Sequence, residues 1–123
     1  MAVDRDIEKA ILTATSRRVK IFGDIIEERI RQERLKREGK FLHTCADPNM
    51  LSSEKYLVLA EETGEVARAV LNLQGFSRDY GADLGKVRTE LLQVAAVAVA
   101  WMEFIDGIIG PITEEKTPER TEL

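Results

Sequence analysis

Apolar residues return at three- and four-residue steps along most of the chain, and no stretch alternates apolar and polar residues as a strand would. Over residues 4–38, Ile7, Ile11, Ala14, Ile21, Ile25 and Ile30 mark one face, with charged residues between them. That period predicts one long amphipathic helix. Gly23 falls inside it, but one interior glycine costs only about 1 kcal/mol against alanine and need not break the helix. Gly39, after the charged turns "RLKRE", is the predicted stop. Residues 40–52, "KFLHTCADPNMLS", read as a loop with a turn or short-helix start at Asp47-Pro48. A second helix is predicted from Ser52 or Ser53, either of which can cap it, to about Gln74, with Gly75 ending it. Residues 75–85, "GFSRDYGADLG", form a glycine-rich connector. A third helix follows from about Asp83 to Ile109, where Gly110-Pro111 stops it.

The fold class is therefore all-α, with long antiparallel helices forming a bundle. Residues 1–111 make a single domain, and the polar tail 112–123 has almost nothing to bury and is expected to be mobile. The third helix is apolar nearly all round between Leu91 and Met102 and needs neighbours on several sides. Three helices supply too few, so a second copy is expected to complete the bundle.

Against this background the stretch "LAEETGEVARAV" stands out, because it places Glu61, Glu62 and Glu65 within five positions between aliphatic residues. A helix turns about 100° per residue. The wheel gathers Glu61, Glu62, Glu65, Arg68 and Asn72 on one face, with Glu62 at the border of the apolar arc. Like charges so close repel, and more strongly as water is withdrawn. Either the face is solvated or a positive group sits against it. The third helix carries a matching pair: Glu90 at the edge of the apolar stretch and Gln93 one turn later, the only polar side chain between Leu91 and Met102. If the two helices pack antiparallel, Glu62/Glu65 can face Glu90/Gln93. Three carboxylates and an amide oxygen are hard donors suited to magnesium or manganese. A di-iron bundle would instead use Glu-x-x-His motifs, and His43, the single histidine, lies in the loop away from both pairs. The further pair Glu103/Asp106 points about 140° away from Glu90/Gln93 and is expected in solvent or in a subunit contact.

The motif pair "EETGE" at 61–65 and "ELLQ" at 90–93 resembles the MazG-like branch of the all-α nucleoside triphosphate pyrophosphohydrolases, marked by E-E-x-x-E on one helix and E-x-x-D on the next. The likeness extends over roughly residues 43–106, with Gln93 where that family usually has aspartate. It implies hydrolysis of a nucleoside or deoxynucleoside triphosphate to monophosphate and pyrophosphate, with Mg2+ or Mn2+, by a homodimer or tetramer. The implied metal ligands are Glu62, Glu65 and Glu90, with Gln93 at the fourth position. Glu61 is implied as an outer-shell group or the base that activates water. Lys36, Arg37 and Lys40, at the end of the first helix, and Arg78 and Lys86, around the connector, are candidate basic groups to assist with a triphosphate. The alternative is a catalytically weakened nucleotide- or partner-binding helical oligomer of the same fold.

Composition narrows the setting. A net charge of −4 argues against a nucleic-acid partner. The single cysteine, Cys45, cannot form an internal disulfide, and the first ten residues lack the apolar core of a signal peptide. The longest unbroken apolar run, Val94–Met102, is far below the roughly 20 residues of a membrane span. A cytoplasmic protein without a membrane anchor is expected.

Overall fold

The structure is a computed structural model that describes residues 4–73 and 84–110. It contains three helices, α1 (Arg5–Arg37), α2 (Ser52–Leu71) and α3 (Leu84–Ile109), and no strand among the described residues. The predicted stop at Gln74-Gly75, most of the connector, Arg78 and the tail 112–123 lie outside those residues.

Local chemistry explains each boundary. Asp4 caps α1 by accepting hydrogen bonds from the backbone N–H groups of Asp6 (3.0 Å) and Ile7 (3.3 Å). Asp6 and Glu8 lie in its first turn and Arg34, Lys36 and Arg37 in its last, the distribution that the helix dipole favours. Gly39 takes φ 79°, where a side chain would be strained, and closes α1 with a hydrogen bond to the Lys36 carbonyl (3.0 Å). Gly23 leaves the helix unbroken. The start of α2 differs from expectation, because Leu51 is the N-cap and neither serine caps through its side chain. Glu54 reaches back instead, and its carboxylate accepts the Leu51 N–H at 2.7 Å. α2 ends at Leu71, three residues early, in a tight turn closed by the Asn72 and Leu73 N–H groups.

The helices run up, down and up, with α3 in the middle. α2 lies antiparallel to it, as predicted: Lys55 meets Phe104 near one end and Glu62 faces Glu90 further along. α1 covers the other side and runs in the same sense as α3, from Ile21 and Ile25 beside Leu91 and Ala95 to Arg29 beside Glu103. α1 and α2 do not pack on each other directly. The loop between them fills the gap, setting Cys45 and Met50 against Val58, Val97 and Ala100.

Two polar knots lock this arrangement. Arg29, only 6% exposed, donates from Nε and Nη2 to Glu103 (2.8 Å each), from Nη1 to Gln32 (2.7 Å) and from Nη2 to Glu33 (2.7 Å). Glu103, expected in solvent or at a subunit contact, is about half exposed, and its carboxylate also ties α1 to α3, as does the Asp24–Arg88 pair (2.8 Å). In the second knot, fully buried Lys55 donates to the Asp47 carbonyl (2.6 Å) and lies 3.6 Å from the centre of the Phe104 ring.

The apolar core is thin. Among the described residues the buried apolar ones are Cys45, Ala69, Ala96, Val97 and Ala100, all small. Large apolar side chains such as Leu12, Phe22, Ile26, Leu91 and Met102 stay exposed. By length and composition α3 is apolar enough to cross a membrane, and here its Ala96, Val97 and Ala100 are buried between the other elements.

Candidate functional site

The antiparallel register of α2 and α3 brings Glu62 to Glu90 and Gln93. Glu62 is half-buried and Glu90 is buried, while Glu61 is exposed and Glu65 lies between these extremes. Burial pushes the Glu62 carboxyl above its ordinary value, and the charges of Glu90, Glu61, Glu65 and Glu28 push it further the same way. The like-charge repulsion inferred from "EETGE" is therefore present in the fold and reaches across three helices.

Glu28, on α1, is the member that sequence reasoning missed. Its side chain is 9% exposed, pairs with Arg31 at 2.8 Å and receives a long hydrogen bond from the Gln32 amide (3.4 Å). A signal was present: Glu28 and Gln32 continue the inward line of Ile21 and Ile25 at three- and four-residue steps. Two polar residues in apolar register require a polar neighbour.

Glu28, Glu62 and Gln93 line a cavity of about 250 Å³, floored by Val58 and Val97 and flanked by Phe41 and His43. His43 was expected to lie away from the glutamates. The loop folds back across the bundle and puts it at the same cavity, with Nδ1 3.5 Å from Asp47. Asp47 pins this loop. It accepts the Asn49 N–H (2.8 Å) and pairs with Lys36 (2.9 Å), which hold its carboxyl down at about 2. Cys45 lies in the cavity wall, and burial raises its thiol, which disfavours the reactive thiolate.

The basic residues separate into distinct surroundings. Lys86 is at the site, with Nζ 2.7 Å from Glu90 and its own charge stabilised by that contact. Lys36 is engaged with Asp47, and Lys40 with Glu38 at 3.2 Å. Arg37 lines a separate groove between α1 and α3, together with Arg34, Ile26, Ile30 and Val99.

The donor set is hard oxygen throughout, as magnesium or manganese requires. Among the described residues, no group of three or more carboxylate, thiol or imidazole side chains stands in coordinating geometry. What the fold provides is a half-buried concentration of negative charge, offset at its edges by Lys86 and Arg31. Such a charge distribution gains from a bound cation, so the residues fit a divalent metal by chemistry and charge. The chain matches no protein-family model, no curated protein and no solved structure.

Proposed function

We propose that this protein is a Mg2+-dependent nucleoside triphosphate pyrophosphohydrolase that acts as a homodimer or tetramer in the cytoplasm. The observation that carries the reading is the repulsion at Glu62, whose carboxyl is raised by burial and by Glu90, Glu61, Glu65 and Glu28. These carboxylates outnumber the cations Lys86 and Arg31 that pair with them, so a bound metal ion would balance the remaining charge. Glu62, Glu65 and Glu90 would hold the metal with the Gln93 amide oxygen. Glu28 would supply, from a third helix, the negative charge that Gln93 lacks. When bound, a divalent ion would supply positive charge against the phosphates and favour loss of a proton from the attacking water.

The remaining steps belong to the chain. Glu61, exposed beside Glu62 on α2, would take a proton from water attacking the triphosphate. Lys86, held at Glu90 in the free protein, and Arg31, which lines the cavity, are the cations that would meet an incoming phosphate. The cavity beside Phe41 and His43 gives room for part of the nucleotide. Assembly is part of the same reading, because among the described residues five small buried apolar ones form a slight core for helices this long.

Incubation with a nucleotide panel and Mg2+ or Mn2+, scored for monophosphate and pyrophosphate, tests the activity. Glu65→Gln should weaken Mg2+ binding by calorimetry and abolish turnover while the circular dichroism spectrum stays unchanged. Unaltered Mg2+ affinity in that variant would remove the assignment. The Lys86–Glu90 ion pair favours a second reading, a nucleotide-binding oligomer without turnover, since one ligand is already neutralised. Nucleotide binding without pyrophosphate release would select it.

A further inference from the structure

Among the described residues, the first half of α1 is an arm that α3 meets only near its end, where Arg88 lies beside Arg17, Lys20 and Ile21. On this arm Ile7, Ile11, Leu12 and Val19 are each more than half exposed. The apolar line continues over the bundle as Phe22, Ile26 and Ile30, also more than half exposed. Leu12, Val19, Phe22, Ile26 and Ile30 fall within about 80° of one another on the helix wheel and form a seam beside the face that meets α3, whereas Ile7 and Ile11 share the wheel positions of Ile25 and Arg29.

The two ends of the seam carry opposite charge. Asp4, Asp6 and Glu8 are exposed at its start, and Arg34 and Arg37 are exposed at its end. Among the described residues, neither arginine is tied into an ion pair in the way Arg29 or Lys36 is. Arg34 and Arg37 stand at the mouth of the groove between α1 and α3, about 560 Å³ in volume, whose walls include Ile26, Ile30 and Val99. An apolar trough with a basic end suits an apolar helix with an acidic end, and the chain itself has one.

We infer that α1 is a two-fold dimerisation helix, with the arm of a second copy lying antiparallel in the groove between α1 and α3. A two-fold axis near Ile21, the midpoint of α1, sets Leu12 of one copy at Ile30 of the other and Val19 at Phe22. It also carries each acidic first turn to the partner's Arg34 and Arg37. The contact is self-complementary, so it closes as a dimer. A parallel pair would instead set acid on acid and base on base. The inference rests on the expectation of assembly and not on nucleotide chemistry.

Light scattering on the full chain at low salt tests it, with circular dichroism to check that α1 remains helical. The wild type should be a dimer at micromolar concentration. Arg34→Glu/Arg37→Glu and Asp6→Lys/Glu8→Lys should each weaken self-association by about tenfold or more, because both ends of the contact become repulsive. The fourfold variant that combines them restores opposite charges at both ends and should restore the dimer. A monomeric wild type would overturn this arrangement and the assembly proposed above. A dimer indifferent to the charge changes, or one not rescued by combining them, would overturn the α1 arrangement alone.

Discussion

Replacing Arg29 by methionine probes the contact that fixes the acidic site. The guanidinium is 7% exposed and satisfies Gln32 and two carboxylates at once. Breaking a fully buried ion pair from one side costs about 3–5 kcal/mol. The discount here is set by the partners, because Glu33 is 44% and Glu103 47% exposed and both can rehydrate. What stays buried is the Gln32 amide oxygen, whose lost donor costs about 1 kcal/mol or more. Together these give an expected loss of about 2–3 kcal/mol for Arg29→Met. Urea unfolding followed by circular dichroism measures it, at one fixed protein concentration because an oligomer's stability depends on concentration. Arg29→Lys keeps the charge but not the planar fork and should fall between wild type and methionine. Adding Glu103→Leu to Arg29→Met should recover part of the loss, since the pair is then replaced by apolar contact. A loss below about 0.5 kcal/mol with an unchanged urea slope would refute the view that this knot holds α1 to α3.

Gln93→Asp adds a carboxylate where the resemblance expects one, and the Mg2+-induced rise in melting temperature should be larger in the variant than in wild type. An equal or smaller rise would put Gln93 outside the metal shell. For pH, the folded Glu62 carboxyl is raised above its ordinary value of 4.5, so folding favours its protonated form. Its stabilising contribution is full below that value and lost as pH rises through the raised pKa, and metal-free Glu62→Gln should lose this dependence in urea titrations across pH. Asp47 has the opposite sign: its contribution is present above the ordinary value of 3.8 and lost as pH falls through about 2. Asp47→Asn should therefore flatten the acid limb of the same titration. An unaltered acid limb would mean that the Lys36 and Asn49 contacts do not set that carboxyl.

The three helices were legible in the sequence because their signals are local. A 3.6-residue apolar period and a glycine stop at Gly39 each act within a turn or two of the chain. The facing of Glu62 and Glu90 was legible for a related reason: a periodic helix fixes which side each residue occupies, and antiparallel neighbours leave few ways to pair those sides. The loop escaped this logic. Residues 38–51 have no period, and their path depends on Asp47 gathering Lys36 and the Asn49 N–H while its carbonyl takes Lys55. Only that path brings His43 to the cavity. Arg29 and Glu103, 74 positions apart, and Glu28 beside Glu62 were likewise decided by how α1 lies on α3. Sequence gives each helix its faces, but an ion pair between distant segments exists only once tertiary packing has excluded water from it. For this reason the glutamates of α2 and α3 could be named in advance, whereas the charge that α1 adds to them could not.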